Sequence, residues 1–460
     1  MSNRLAVFMA LALAGRAAVA QEGIPPSVFQ GGVPTGEATS DELALSLPDA
    51  VERGLHYNLG LILGREDVRA AQGARGEARA DLLPQVRAGL LETRQKINLA
   101  SFGFTSFPGL PEIVGPFSVF DARAFVSQTV LDLKALHHAR AASKELRAAE
   151  HEERNTRELV VLACAGLYLQ TVAGESRIAA TRAQLDTAEA LLALARDRKA
   201  AGLATGLDAL RAEVQMQAQH QRLLVAEEEA AKDKLALARA LGLPLGQRFR
   251  LTDPMPLATL APPSPEEAVA RAWRERPDLK AAQARVEAAE AQRRSALGEG
   301  LPSLAVDADY GTIGNDPGTA RATFTLGAAL RVPIFEGGRV QGKVRAAEAR
   351  VQEDRARLED LRARIYYEVQ TAFLDLRSAQ DRVQVAEKAL GLGREQLRQA
   401  QDRFAAGVAS NIDVVQAQEA LATASENSIA SLYAHNVAKV SLARALGGAE
   451  ASYIQLLRGQ

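Results

Sequence analysis

From Val340 the apolar positions fall at Val340, Val344, Ala347, Val351, Leu358, Leu361, Ile365, Val369, Ala372, Leu376, Ala379, Val383, Ala386, Leu390, Leu397, Ala400 and Phe404. Steps of three and four alternate, which is the narrow seam of a coiled-coil helix rather than the broad face of a globular one. No proline interrupts the run, so at ~1.5 Å per residue it predicts a rod about 100 Å long. Just ahead of it, Pro333-Ile334-Phe335-Glu336-Gly337-Gly338 reads as a strand end followed by a glycine corner. Before that corner the period changes to two. Leu304, Val306, Ala308 and Tyr310 oppose Asp307 and Asp309, and Ala322, Phe324, Leu326, Ala328, Leu330 and Val332 oppose Arg321, Thr323, Thr325 and Arg331. Such alternation marks strands with one apolar and one polar face.

The same order occurs earlier in the chain. A shift of 218 residues places Ala50-Val51 on Ala268-Val269, Leu61 on Leu279 and Leu83-Pro84 on Leu301-Pro302. A shift of 205 places Tyr168 on Phe373, Gly202 on Gly407, Asp208 on Asp413 and Ala240-Leu241-Gly242 on Ala445-Leu446-Gly447. Two long registers without gaps indicate a tandem duplication. Each repeat reads helix, strand, loop, strand, very long helix, short turn, helix. The first spans 46–246, with a helix running from Leu47-Pro48-Asp49 to the Leu82-Leu83-Pro84 stop, a hairpin near 85–130 and long helices 132–201 and 207–242. The second spans 264–450, with a hairpin near 303–335 and long helices 338–406 and 411–446. Residues 21–45 and 451–460 read as tails, and the proline-rich segment 247–263 as an extended strap that is neither helix nor core strand. The first hairpin is the noisier. Val86, Ala88 and Leu90 alternate with Arg87 and Gly89, but Leu91, Glu92 and Phe125 break the pattern, and its loop reads as 96–118.

Residues 1–20 are a processing signal: Arg4 is the positive end, residues 5–14 an apolar run too short to span a bilayer, and Ala18-Val19-Ala20 a small-residue cleavage site before Gln21. No cysteine stands beside that site, so no lipid attachment point is expected. Aromatics at 5% and a formal net charge of -1 with interspersed signs exclude a nucleic-acid-binding field. The single Cys164 reads as a packed residue, and the six histidines as solvated helix positions without metal spacing. No nucleophile elbow or phosphate loop is present, so neither catalysis nor a cofactor is expected.

Four amphipathic strands cannot close a membrane barrel, because the smallest use about eight. Closure has to come from several chains, since open edges in lipid leave backbone groups unpaired. The rods attached to both ends of each hairpin then extend to one side of the membrane and prolong the pore as a duct.

In the duplication, in Pro333-Ile334-Phe335-Glu336-Gly337-Gly338-Arg339, in the Tyr168 and Phe373 positions and in the paired turns 201–208 and 406–413, the chain resembles the TolC-like outer-membrane efflux proteins of Gram-negative bacteria. The first repeat departs at Val130-Leu131-Asp132-Leu133, which lacks the glycine pair. The resemblance implies a mainly α fold with a membrane β-barrel part. It implies a homotrimer with twelve strands in outer-membrane lipid and a periplasmic α-helical coiled-coil barrel, docking with a periplasmic membrane-fusion adaptor and an inner-membrane RND-type pump or secretion ATPase. Adaptor-contacting tips then fall on Gly202, Leu203, Ala204, Thr205, Gly407, Val408, Ala409 and Ser410, and the strand-to-helix corner on Pro333, Phe335, Gly337 and Gly338. Asp413 matches an acidic aperture residue that would form a carboxylate ring favouring cations. A second acid expected one turn on is Gln416 here, and a basic residue expected in the turn is Ala409. Asp413 and Asp208 also suit helix N-termini on dipole grounds alone. The competing class is a periplasmic coiled-coil adaptor or scaffold without a channel; adaptors need a strand-rich barrel or lipoyl-like module, which the chain lacks.

Overall fold

A computed structural model describes residues 31–103, 111–202, 204–258 and 263–458. The processing signal, the first part of the tail, Leu203 and Pro262 lie outside the described residues. In chain order the first repeat holds β1 (Leu43–Leu45), α1 (Leu47–Tyr57), α2 (Leu59–Ala80), β2 (Gln85–Asn98), β3 (Ile113–Leu131), α3 (Leu133–Ala200) and α4 (Gly206–Ala240). After β4 (Phe249–Leu251) the second holds α5 (Pro265–Glu275), α6 (Pro277–Gly298), β5 (Ser303–Gly314), β6 (Arg321–Arg331), α7 (Arg339–Ala405), α8 (Asn411–Ala445) and α9 (Ala449–Arg458).

The seam read from periodicity is the buried stripe of α7: Val351, Leu358, Leu361, Ile365, Val369, Ala372, Leu376, Ala379, Ala386, Leu397 and Phe404 all lie in packed interior. With 68 and 67 residues, α3 and α7 are rods about 100 Å long. In the half nearer the sheet the helices lie side by side in the order α2-α3-α6-α7; in the other half α4 and α8 replace α2 and α6 as partners of α3 and α7. The four long strands form one antiparallel sheet in the order β2-β3-β5-β6. Each strand is covalently continuous with the helix that holds the same place in the row, so sheet and helices form one continuous curtain.

Four readings are corrected. The helix expected from Leu47 to the proline stop is two helices that break at Asn58, which ends α1 and caps α2 by accepting from Gly60 N at 2.9 Å. The break recurs at Arg276, which is Asn58 plus 218, between α5 and α6. The proline-rich strap contains a core strand: β4 pairs in parallel with β1, and Phe249 is buried. The C-terminal tail is largely the helix α9, whose Tyr453 and Leu457 enter the same core. Finally, the first hairpin ladder runs out to the Asn98–Ile113 pair, so its loop is shorter than 96–118.

Two cores hold the equator of the curtain. The first packs α1, β1, β4 and α9 on α3 and includes Val51, Leu61, Cys164, Tyr168, Leu237, Leu241 and Tyr453. The second packs α5, α6 and α8 on α7 around Leu279, Ile365, Val369 and Leu442. Each fully buried aliphatic chain here contributes about 1.5–3 kcal/mol through loss of apolar surface to water. Among the described residues α3 alone is long and apolar enough to cross a bilayer, and most of that apolar stretch is spent on these cores.

Candidate conduit wall, corner and tip

Strand register sorts the sheet into two faces. Val86, Val126, Ala308 and Leu326 align across the four strands, as do Ala88, Ala124, Tyr310 and Phe324. On this face Val86, Tyr310, Phe324 and Leu326 are between 66% and 77% exposed. An apolar surface this open needs a non-aqueous neighbour. The other face carries Arg87, Arg123, Asp121, Asp307 and Asp309. Arg123 bonds Asp121 and Asp309 at 2.7 Å each, and Ser127 donates to Asp307 at 2.7 Å. Phe125, which broke the alternation, lies on this polar face with the Arg87 guanidinium 5.2 Å from its ring centre. With β2 and β6 at the ends of the sheet, both edges lack a partner strand among the described residues.

The two corners are built differently. After β6, residues 333–338 make a turn in which Gly337 and Gly338 take φ of 61° and 84°, and Gly338 caps α7. Pro333 and Phe335 lie on that turn, with Phe335 88% exposed. The first corner needs no such turn, because Asp132 caps α3 through its side chain, accepting from Ala135 N at 3.0 Å. Glu299, at the end of α6, ties the corners together: Lys134 at 3.3 Å, Lys343 at 2.7 Å and Arg339 converge on it. The hydrogen bond from Lys343 leads in holding its carboxyl below the usual range.

At the opposite end both turns use one device. Gly202 and Gly407 adopt φ of 74° and 76°, and Gly407 N and Val408 N bond to Phe404 O and Arg403 O, the paired bonds that close a helix C-terminus. Thr205 and Ser410 begin the next helices, each in a reciprocal box with Asp208 or Asp413. Asp413 Oδ2 accepts from Ser410 N at 2.9 Å and Oγ at 3.0 Å, and these bonds hold its carboxyl low. Asp413 therefore caps α8, as the dipole reading expects, while it and Gln416 remain exposed. The hairpins are locked together where Asn411 Nδ2 donates to Asp208 O at 2.9 Å and Arg198 bonds Phe404 O beneath its own cation–π contact at 4.9 Å. An open apolar groove of about 340 Å³ lies beside the tip between α4 and α8, lined by Leu210, Val214, Ile412 and Val415 with Gln416 at its side. Sequence reading missed this groove, because Leu210 and Val214 on one repeat and Ile412 and Val415 on the other line it together.

Where α6 and α8 meet end to end between α3 and α7, a cleft of about 1090 Å³ opens, lined by Arg276, Asp278, Arg364, Tyr367, Glu368 and Arg444. Arg276 is 2% exposed and binds Asp278 at 2.6 Å and Glu368 at 2.5 Å. Nearby, the 254–258 strap is pinned by a buried row on α8: Asn436 donates to Pro256 O at 2.8 Å, and Lys439 to Ala258 O. His435 belongs to this row and is buried, which corrects the expectation that every histidine is solvated. Among the described residues no cluster of histidine, cysteine and acid side chains could hold a metal.

The family model described as "Outer membrane efflux protein" matches residues 63–243 and 268–448, one block in each repeat. The chain belongs to the outer membrane efflux protein family. This efflux protein is 29% identical over 426 residues to the pyoverdine export outer membrane protein OpmQ of Pseudomonas aeruginosa, covering 88% of this chain and 85% of that one. It is 29% identical over 421 residues to the outer membrane protein OprJ of the same organism, covering 86% and 83%. Its fold is that of the Vibrio cholerae outer membrane protein VceC, with a TM-score of 0.74 at 23% identity over 87% of this chain and 96% of that one. It also matches the open-state MtrE outer membrane channel of Neisseria gonorrhoeae, with a TM-score of 0.73 at 18% identity over 91% and 97%. The efflux protein is thus an outer-membrane component of an export route, in a family of channels rather than enzymes.

Proposed function

We propose that three copies of this chain close into the exit duct of a tripartite efflux pump, with twelve strands in the outer membrane and a helical tube in the periplasm. One observation carries the reading: the strand order β2-β3-β5-β6 is continued by the helix order α2-α3-α6-α7, and both rows end in open edges. Strands of 11 to 19 residues are long enough for a tilted bilayer span of about 9–11. A head-to-tail contact between unlike edges generates a ring when its rotation closes, and three copies of this sheet would make one of twelve strands. Residues 202–205 and 407–410, with the groove beside them, are the docking tips for a periplasmic adaptor and its RND-type pump or secretion ATPase. In the ring Asp413, with Gln416 one turn on, lines the inner aperture. The likeness to a pyoverdine exporter favours small-molecule cargo over a secreted polypeptide.

The test is native mass spectrometry and planar-bilayer conductance of the purified full chain, alongside efflux in a deletion strain. The expected results are a three-chain mass, a cation-preferring pore whose preference falls in Asp413→Ala, and loss of efflux without loss of pore in Gly407→Trp. A water-soluble monomer without conductance would overturn the reading in favour of a periplasmic scaffold.

A further inference from the structure

The helical layer next to the sheet carries charge mostly of one sign. In the twelve residues of each helix nearest the strands, 69–80 of α2, 133–144 of α3, 287–298 of α6 and 339–350 of α7, twelve arginines and lysines stand against four acids, in a chain whose formal net charge is -1. Three of those acids are already bound, Glu287 by Lys144, Glu290 by Arg355 and Glu348 by Arg293. Lys134, Arg339 and Lys343 are likewise engaged by Glu299. Arg79, Arg140, Arg294 and Arg345 are exposed and make no ion pair among the described residues. Arg345 is Arg140 plus 205, so both repeats offer an unpaired guanidinium at this height. We propose that these four arginines form a collar that binds the phosphates of anionic phospholipid in the periplasmic leaflet of the outer membrane. The proposal rests on the reading above, in which the sheet spans that membrane, and adds what the wall grips at the inner surface.

Height and face both fit. Arg79 is at the end of α2, Arg294 about 6 Å below the end of α6, and Arg345 and Arg140 about 9 and 10 Å below the starts of α7 and α3. A headgroup layer is about 5–7 Å deep, and charges act across about 8 Å of physiological salt beyond it, so all four reach such a surface. Arg294 follows Arg285 by nine residues, two and a half turns, so the two leave opposite sides of α6. Arg285 lines the cleft at the ends of α6 and α8, as does Arg364 of α7; Phe373, nine residues after Arg364, lies beside Pro265 of α5. Arg294 is therefore on the side of the wall that carries α5, away from the cleft. Apolar residues rim the collar on the sheet side. Leu83 follows Arg79 by four residues and Leu297 follows Arg294 by three, and they are 59% and 45% exposed, while Ile334 on the turn ahead of α7 is 95% exposed. An apolar rim over a basic belt suits the boundary between acyl chains and headgroups.

The collar is densest between α3 and α6. Burial, then the charges of Arg140 and Arg294, hold the His137 imidazole below its ordinary value, so both guanidiniums lie near this ring from neighbouring helices. One turn farther from the sheet Lys144 closes on Glu287, which leaves the two arginines unpaired beneath Leu297. Guanidinium donors match phosphate oxygens, and a phosphodiester can accept from both at once. A zwitterionic headgroup brings a trimethylammonium that the same pair repels. The collar therefore favours phosphatidylglycerol over phosphatidylcholine.

The test is native mass spectrometry of the purified full chain in detergent, titrated with phosphatidylglycerol or phosphatidylcholine of matched acyl chains. The parent should retain several-fold more phosphatidylglycerol per chain, and Arg140→Gln with Arg294→Gln should remove most of that excess. Arg140→Lys with Arg294→Lys should keep at least half of it. Arg377→Gln with Arg394→Gln, the same change of charge at exposed positions far from the sheet, should keep all of it. Equal retention of the two lipids, or the same loss in the remote control, overturns the collar, while a three-chain mass leaves the ring standing. Displacement of the lipid by inorganic phosphate at equal concentration overturns it in favour of a small-anion site, and tighter binding of soluble muropeptides overturns it in favour of the cell wall. Monomers without bound lipid in the parent overturn both collar and ring.

Discussion

Neutralising Arg276 tests whether the ion cluster between the ends of α6 and α8 is a structural keystone of the duct wall. Arg276 and Asp278 are both largely buried, and Arg444 stands 3.6 Å from the same Asp278 carboxylate. Burial alone pushes the Asp278 carboxyl up, but hydrogen bonds and charge from Arg276, with Arg444 behind them, hold it lower than usual. Removing one partner of a buried pair costs about 3–5 kcal/mol. Arg276→Met should fall near the lower bound, about 3 kcal/mol, because Arg444 still faces Asp278. Asp278→Asn should cost more, about 4–5 kcal/mol on the same scale, since it leaves two guanidinium groups facing each other in one cleft. The double variant removes one of those like charges, so it should lose less than the sum of the singles by about 1–2 kcal/mol. The single tryptophan, Trp273, lies three residues before Arg276 and donates to Arg362 O at 3.4 Å, so its fluorescence reports unfolding of this region. Urea titration in detergent gives all three differences. Additive losses, or an Asp278→Asn variant more stable than Arg276→Met, would refute the assignment. A carboxyl depressed in the folded state stabilises above its ordinary value and loses that contribution as pH falls through the depressed one. The stability supplied by Asp278 should therefore disappear on acidification below about pH 4.

Gly54→Ala would place a Cβ 2.3 Å from Cys164 Sγ, an overpacking worth about 1–3 kcal/mol, and Cys164→Ala should restore most of it; a thermal melt in which the double variant is no better than Gly54→Ala contradicts this. Lys439 is held down to about 8 by burial, so between pH 8 and about 10 the unfolded chain binds a proton that the folded one does not. Urea midpoints should rise with pH through that window, and Lys439→Met should abolish the rise; a parent protein with a flat profile refutes the buried-amine assignment.

Sequence reading reached the parts of this molecule that are set by local period. The seam of α7, the strand alternation in the second repeat and the glycine turns each depend on residues within one or two helical turns of one another. It missed what depends on distant partners. β4 is a strand because β1, some two hundred residues earlier, offers it a ladder, and three residues carry no period of their own. The break at Asn58 has no proline to announce it; its counterpart at Arg276 is followed by Pro277, so the duplication itself held the missing signal. Phe125 looked like an error in alternation because Arg87, which covers it, sits on the neighbouring strand. At the tip the aspartate of each repeat was legible as a capping residue. The groove beside it was not, because its lining comes from two helices on different repeats.

Differences between matched positions follow differences in what surrounds them. Tyr168 and Phe373 occupy equivalent places on the two long rods, and both rings pack into an equatorial core. Among the described residues only the first has strands beside it: the Tyr168 hydroxyl donates to Leu45 O at 3.1 Å and accepts from Asp253 N at 3.2 Å, tying β1 to the segment after β4. A hydroxyl at position 373 would face no such pair of strands among the described residues. Asn58 and Arg276 divide in the same way. The shorter side chain caps the helix that follows it, while the longer one reaches across to Glu368 on the neighbouring rod. Duplication thus supplied two interchangeable halves of wall, and their later substitutions record which half carries the equatorial strands and which half fills the gap between α6 and α8.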